Sequence, residues 1–201
     1  MNRYKIYSSV PTIILATILV LSVMHRNILA EPVMNKNNHA DRLEYHRMLM
    51  GLEGFAALLN ADMDIRSKTN NGRLILVLIY EDVKQQKAEK LALYLKKIKT
   101  VRKIPVQIDL INDTEMKGYK NKKTAGIFLL RKLGAELESV IQYGIKNSVI
   151  VYSPYEGDVE NGVSAGLLIS DKISPYVNMN TMKSSGIRIK PFFLKKTKQY
   201  K

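Results

Sequence analysis

The stretch Asn161–Leu194, NGVSAGLLISDKISPYVNMNTMKSSGIRIKPFFL, combines several kinds of local structural signal in one short segment. Two extended runs, Val163–Ile169 and Ile173–Met179, flank a Ser-Asp-Lys sequence whose side chains favour a tight turn. Pro175 indicates that the second strand has a free edge or a bulge, because proline lacks an amide hydrogen. The stretch therefore predicts an antiparallel β-hairpin late in the chain.

After the hairpin, the pattern predicts one short helix and one more extended segment. Asn180 can cap the first turn of this helix with its side-chain oxygen, and Gly186 stands where a left-handed residue ends a helix. Ile187 and Ile189 then alternate with two basic residues, which is the period of a half-buried strand. Nothing in the stretch is a catalytic motif, so its regularity is structural.

Upstream, apolar runs of strand length alternate with amphipathic helices. The clearest run is 73–80, RLILVLIY, which suits a strand covered on both faces. Since strands separated by helices pair in parallel through right-handed crossovers, we expect an α/β three-layer sandwich. Its central sheet would be mostly parallel, with a C-terminal antiparallel hairpin added. The predicted elements are helix 41–60, strand 73–80, helix 83–99, strands 105–111 and 124–130, helix 134–146 and strand 148–152.

The first thirty residues have the pattern of a secretory signal peptide. Arg3 and Lys5 precede an uncharged apolar run, and Ala30 ends a candidate cleavage site. The alternative is an uncleaved anchor, because Ile6–Met24 is just long enough to span a bilayer. We therefore expect a signal peptide or anchor at 1–30, a flexible lead-in at 31–40, and one domain at 41–201 with a basic tail at 195–201. The expected location is the periplasm.

Composition excludes several classes of protein. The 201 residues include no Cys, so disulfides, thiolate metal sites and Cys nucleophiles are excluded. The formal net charge of +14 suits an anionic partner, and the lysine-rich helix 83–99 and the tail KKTKQYK can dock on an anionic membrane surface. The alternative is a lysine-rich composition without a specific target. An exported chain would have no supply of ATP and no routine access to nucleic acid. Few aromatic residues are interleaved with the basic ones, although binding of single-stranded nucleic acid relies on such aromatic residues.

Nucleotide, metal and nucleophile motifs are missing from the sequence. The exit of the first strand has no glycine and two carboxylates, which would repel a pyrophosphate, and no phosphate-binding fingerprint occurs. His39 and His46 are too few to form a zinc site. We therefore expect no cofactor, no metal and no catalytic residue. Three alternating carboxylates on a loop, Glu156, Asp158 and Glu160, leave a hydrolase of unknown type as a third alternative.

One crevice is nevertheless predicted by the fold class. In open α/β sheets, ligands bind outside the carboxyl ends of the strands. The residues that follow two of the predicted strands are Tyr80, Glu81 and Asp82, and Ser153 and Pro154. These five residues are the candidate crevice of a small-ligand-binding module.

The C-terminal stretch resembles the signature of the YfiR-like proteins. In that signature an apolar residue and an asparagine precede a small-residue helix, a glycine and alternating apolar positions. Asn178 falls on its asparagine and Gly186 on its glycine, while the two serines of the family are Lys190 and Pro191 here. The signature residues, to which the resemblance assigns a structural role, are Gly166, Asn178, Asn180, Gly186, Ile187 and Ile189.

The resemblance implies a periplasmic repressor. Such proteins bind the extracytoplasmic part of a membrane diguanylate cyclase, hold it inactive, and thereby control intracellular cyclic-di-GMP. The implied protein is not an enzyme, is often a homodimer, and has a membrane cyclase or sensor kinase as its partner. An exported α/β domain with an exposed sheet edge and strong charge also suits protein contact. The main expectation is therefore a regulator, with the small-ligand-binding module as the alternative.

Overall fold

The structure is a computed structural model that describes residues 36–81, 84–112 and 122–201. The predicted signal peptide at 1–30, Asp82, and most of the predicted loop between the second and third strands lie outside these residues. Leu43–Lys201 forms a compact unit. The helices are α1 (Lys36–Ala61), α2 (Gln85–Lys96), α3 (Glu136–Asn147), α4 (Met179–Ser184) and α5 (Pro191–Leu194), with a 3-10 turn at Ile65–Lys68. Among these helices, none has the length and apolar content needed to cross a membrane.

Eight strands form one sheet in the order β2-β3-β1-β4-β5-β6-β7-β8. The neighbours from β3 to β6 pair in parallel, whereas β2–β3 and β6–β7 are antiparallel and β7–β8 is parallel. This arrangement confirms the predicted α/β sandwich with its C-terminal hairpin. The strands are β1 (Leu74–Tyr80), β2 (Thr100–Val101), β3 (Ile104–Asn112), β4 (Gly126–Leu129), β5 (Ile150–Ser153), β6 (Ala165–Ile169), β7 (Ile173–Asn178) and β8 (Lys198–Tyr200).

Two hydrophobic layers cover the two faces of the sheet. Because side chains alternate along a strand, Leu76 of β1 points to the layer that holds α1 and α2, and Val77 points to the layer that holds α3. The first layer contains an aromatic cluster of Phe55, Phe128 and Tyr152, whose ring centroids lie 5.6–5.8 Å apart. All seven β1 residues are buried or half-buried, as the continuous apolar run predicts.

The C-terminal stretch folds as a hairpin followed by the short helix α4. Gly186 ends α4 with a φ of +65°, and Ile187 and Ile189 are buried while Arg188 between them is exposed. Pro175 pairs with β6 on one side, and β8 begins only alongside Tyr176. The proline therefore lies at an open edge, as predicted. Gly166 lets β6 approach β5 closely, because a Cβ there would collide with the Ser153 carbonyl.

Several details differ from the sequence-based predictions. Helix α1 already includes Lys36–Ala40, which falls in the predicted flexible lead-in. The cap of α4 is Asn178, whose side chain accepts a hydrogen bond from the Thr181 amide, whereas Asn180 is exposed within the helix. The region 195–201 is not a loose tail, since β8 pairs with β7. The hairpin strand β2 was not predicted, because its turn residues Arg102 and Lys103 adopt positive φ without the usual Asn or Gly.

Candidate functional site

A small cavity lies at the carboxyl ends of β1 and β4. Within the sheet, β3 lies on one side of β1 and β4 lies on the other. The strand order therefore reverses between β1 and β4, which makes this place the topological switch point. The cavity has a volume of about 10 Å³, which is room for roughly one water molecule. Its lining residues are Glu44, Met48, Tyr80, Glu81, Lys84, Lys87, Ala88, Leu91 and Leu130.

Two ion pairs border this cavity. The Nζ of Lys87 on α2 lies 3.0 Å from Oε2 of Glu44 on α1, and both side chains are about 30 % exposed. The Nζ of Lys84 lies 3.3 Å from Oε2 of Glu81, and that pair is about half-exposed. The Lys87–Glu44 pair connects α1 to α2. Positive and negative groups therefore alternate around one small space.

The start of α2 adds positive potential to the same edge. Its N-cap residue, Lys84, makes no side-chain capping bond, and its first turn holds no acidic residue. The amides of such a turn carry the positive end of the helix dipole and bind anionic groups. The apolar floor opposite consists of buried side chains, among them Met48, Ala88, Leu91 and Leu130.

The predicted crevice residues divide into two groups. Tyr80 and Glu81 line the cavity. Ser153 is fully buried, where its hydroxyl donates to Oδ2 of Asp158 at 2.6 Å and accepts from the Tyr155 amide at 3.2 Å. Pro154 is also buried and packs close to Gly51 of α1. Ser153 and Pro154 thus organise the loop after β5, while α1, α2 with its N-cap, and Leu130 supply the other groups around Tyr80 and Glu81.

Tyr155 connects that loop to the cavity. Its hydroxyl donates to the Leu130 carbonyl at 2.9 Å, and the guanidinium carbon of Arg47 lies 5.3 Å from its ring centroid. Burial, followed by the nearby Glu44 carboxylate, raises the pKa of Tyr155. The phenol therefore remains a neutral donor that holds Leu130 in the cavity wall.

Most of the residues that sequence reasoning missed lie in α1, in α2 or at the N-cap of α2, and Leu130 follows β4. Lys84, Lys87, Ala88 and Leu91 recur at the helical spacing of one face directly after the crevice strand, and this spacing is the signal that would have found them. Glu44 lies on a different helix, and no local pattern connects it to them.

Three acidic residues outside the cavity, Asp62, Asp64 and Asp158, have structural partners. Asp158 is buried against Ser153, while Glu156 and Glu160 on the same loop are exposed. Asp62 is buried with Lys68, whose Nζ lies 2.6 Å from its Oδ2, and Asp64 pairs with Arg188. Within the described ranges, no cluster of three or more His, Cys, Asp or Glu side chains could hold a metal ion.

A larger and more open hollow of about 370 Å³ lies at the opposite edge of the sheet, near the start of β1. It is lined by polar side chains and one isoleucine: Asn70, Asn71, Arg73, Ile75, Gln107 and Lys122. This edge holds the amino ends of the parallel strands, so it is not the edge at which α/β sheets bind ligands.

Comparison with known proteins supports the fold. No protein-family model matches the sequence, and no curated protein matches it. The ABC domain from Streptococcus pneumonia, solved in complex with L-Trp, superposes with a TM-score of 0.51 and 14 % identity, covering 76 % of this chain and 61 % of that chain. A conserved domain protein from Vibrio cholerae O1 biovar El Tor gives a TM-score of 0.50 and 13 % identity, covering 77 % and 60 %. This chain is thus similar in fold to about three-fifths of each.

Proposed function

We propose that this chain is an exported small-ligand-binding module whose site is the cavity at the β1–β4 switch point. The observation that carries the proposal is the alternation of Lys and Glu side chains over an apolar floor at the edge where α/β sheets bind ligands. The proposed role is ligand binding without catalysis. Such a role requires matched charges and an apolar contact, and it does not require a nucleophile or a metal.

The ligand class follows from the charges. A zwitterion carries one anionic and one cationic group, which match the Lys87 and Glu44 side chains and the uncapped start of α2. An apolar substituent would lie against Met48, Leu91 and Leu130. An α-amino acid with an apolar or aromatic side chain meets both requirements. One protein of similar fold was solved with L-Trp, which makes L-Trp the first ligand to test.

Binding requires the cavity to open, because its present volume is that of a water molecule. The Lys87–Glu44 pair joins α1 to α2 beside the cavity, so the ligand would exchange this pair for its own charges. Exchanging one partly exposed ion pair for two others involves little net loss of interaction.

The test is a thermal unfolding series with L-Trp, tryptamine and indole-3-propionate, followed by calorimetric titration. A ligand present at ten times its Kd should raise Tm by about 3–5 °C for a domain of this size. Only the complete zwitterion should do so, because each analogue lacks one of the two charged groups. Lys87→Met and Glu44→Gln should each weaken binding about tenfold or more, since each removes a charged hydrogen-bond partner.

The matched control is Lys90→Met, an exposed lysine on the same helix. This variant should bind like the wild type. If no zwitterionic amino acid shifts Tm at millimolar concentration, or if Lys90→Met weakens binding as much as Lys87→Met, the cavity is not the site.

A regulator that acts by protein contact is the second candidate, as the resemblance to YfiR-like proteins implies. The observation that favours it is an exposed pair of isoleucines, Ile169 and Ile173, which face each other across the end of the β6–β7 hairpin. Exposed apolar side chains on a sheet are suited to a protein partner. The partner would be the periplasmic domain of a membrane diguanylate cyclase or sensor kinase.

Cellular cyclic-di-GMP tests this second candidate. Loss of the gene should raise cyclic-di-GMP, and the wild-type gene should restore it. A gene with Ile169→Lys and Ile173→Lys should fail to restore it, whereas Leu93→Lys, at an exposed position on α2, should succeed. Cyclic-di-GMP that does not respond to the gene would rule the repressor out.

A further inference from the structure

The last thirty residues, Lys172–Lys201, contain eight basic residues and no Asp or Glu. The rest of the chain mixes both signs, so this segment has a charge distribution of its own. Arg188 within it pairs with Asp64. In the described part of the chain, the lysines at 190, 195, 196 and 198 have no carboxylate within ion-pair distance.

Helix α5 concentrates these charges around an exposed aromatic ring. Phe193 and Leu194 pack against the core, so the opposite side of this single turn faces outward. Phe192 is 60 % exposed, and Lys195 and Lys196 follow it at the i+3 and i+4 positions, which share one side of a helical turn. The Nζ of Lys190 lies 5.9 Å from the centroid of the Phe192 ring.

The edge strand β8 follows α5 directly along the chain and adds one more exposed lysine. Its Lys198 is exposed and lies beside Tyr176 of β7. A lysine on an edge strand opposes pairing with a second sheet, which argues against a strand-adding protein partner. Glu160 lies close to Tyr176 and offsets part of the positive charge there. Together Lys190, Phe192, Lys195, Lys196 and Lys198 are named the C-terminal basic surface.

We propose that the C-terminal basic surface docks on an anionic lipid bilayer. Its lysines match phosphate headgroups, and each lysine near such a surface strengthens partition by about fivefold. Phe192 is placed to enter the boundary between headgroups and acyl chains, where an exposed apolar ring gains burial that soluble anions cannot offer. A single exposed ring does not form the aromatic series on which nucleic-acid bases stack. This surface is separate from the switch-point cavity, so the inference does not depend on the proposed ligand.

The first experiment measures cosedimentation of the full chain with vesicles of phosphatidylcholine alone or mixed with phosphatidylglycerol. Replacing the lysines at 195, 196 and 198 with Gln should lower partition to the anionic vesicles by about a hundredfold. Replacing the exposed lysines at 90, 96 and 99 makes the same change in net charge on or next to α2, and should lower it far less. Residues 1–35 are present in every protein compared, so their contribution cancels.

The second experiment uses tryptophan as a position-specific probe, since the chain contains none. Phe192→Trp should shift its emission to shorter wavelength on anionic vesicles, because the indole enters the interface. Leu93→Trp, at a position of matching exposure (61 %), should not shift.

Equal loss of partition in both triple-lysine variants would overturn the proposal, because it would assign binding to net charge alone. A shift at Leu93→Trp without one at Phe192→Trp would place the contact on α2 instead. Heparin binding that depends on the lysines at 195, 196 and 198, with no emission shift of Phe192→Trp on vesicles, would assign the surface to a soluble polyanion and also overturn the proposal.

Discussion

Tyr152 has an aromatic ring that packs well in the core and a hydroxyl group that is buried with it. Its ring stacks on Phe128 with centroids 5.6 Å apart, and it is almost completely buried. Its hydroxyl has no hydrogen-bond partner among the described residues, and burial raises its pKa. Gly54 lies directly opposite, where a Cβ would collide with the hydroxyl oxygen. A buried hydroxyl without a partner destabilises the fold, so the ring and not the oxygen is what the core uses.

Tyr152→Phe should therefore raise the free energy of unfolding by about 1 kcal/mol, since it removes the unsatisfied hydroxyl and keeps the ring. Urea denaturation measures this change. Tyr155→Phe is the matched control of opposite sign, because its hydroxyl bonds the Leu130 carbonyl and its loss should destabilise by about 1 kcal/mol. A Tyr152→Phe protein that is less stable than wild type would reveal a partner for the hydroxyl.

The same geometry makes Gly54 and Tyr152 interdependent. Gly54→Ala alone should destabilise the protein despite the higher helix propensity of alanine, because the new methyl group collides with the phenol. In the Tyr152→Phe background part of that loss should be recovered. A double-mutant cycle gives the interaction free energy, and additive effects would show that the two groups are not in contact.

Asp158 gives stability a dependence on pH. Burial raises its pKa above the usual 3.8, although the Ser153 hydroxyl acts in the opposite direction. The folded chain therefore holds this proton more tightly than the unfolded chain, and stability falls as pH rises from about 3.8 through the folded pKa.

Asp158→Asn removes this titration, and its side-chain oxygen can still accept from Ser153. The variant should gain stability relative to wild type as pH rises from about 4 to 7, measured by urea denaturation at each pH. Asp64, whose pKa its Arg188 partner lowers, contributes equally to both proteins and cancels. A difference that does not change with pH would contradict the assignment.

At the level of elements, Asn178 joins the hairpin to the helix that follows it. Its Oδ1 accepts from the Thr181 amide at 2.9 Å, and its Nδ2 donates to the Val159 carbonyl at 2.7 Å. One side chain thus caps α4 and attaches it to the loop between β5 and β6. Both bonds are buried, so their loss leaves polar groups without partners.

Asn178→Ala should lower the free energy of unfolding by about 2–4 kcal/mol, the sum of a lost cap and an orphaned carbonyl. Asn180→Ala, two residues later and exposed within α4, should be neutral or slightly stabilising because alanine is the better helix former. Thermal denaturation compares the two. An equal loss of stability in the two variants would contradict the assignment of the cap to Asn178 alone and would support Asn180, the residue predicted from sequence.

For the molecule as a whole, one sheet supports both hydrophobic layers. Alternate residues of β1 enter the layer with α1 and α2 or the layer with α3, so neither layer can lose β1 without exposing the other. This arrangement predicts one cooperative unfolding transition for Leu43–Lys201.

Two single-tryptophan variants test that prediction. Tyr45→Trp reports on the layer with α1 and Tyr143→Trp on the layer with α3, in a chain with no other tryptophan. In each variant, the urea midpoint measured by tryptophan fluorescence should coincide with the midpoint measured by circular dichroism. Separate midpoints within one variant by the two probes would show that the layers unfold independently.

Local pattern was sufficient for the sandwich, the hairpin and the turn at Gly186. A strand that is buried on two faces, such as β1, requires an uninterrupted apolar run, and a left-handed turn favours glycine. Both features can therefore be recognised from a few neighbouring residues. Contacts between distant residues determined the rest. Asn178 and not Asn180 became the cap because Val159, nineteen positions away, binds the other end of its side chain. The basic tail became β8 because the edge of β7 was available to pair with it. The cavity combines Glu44 of one helix with Lys87 of another, and only the packing of α1 against α2 brings their charges within 3.0 Å.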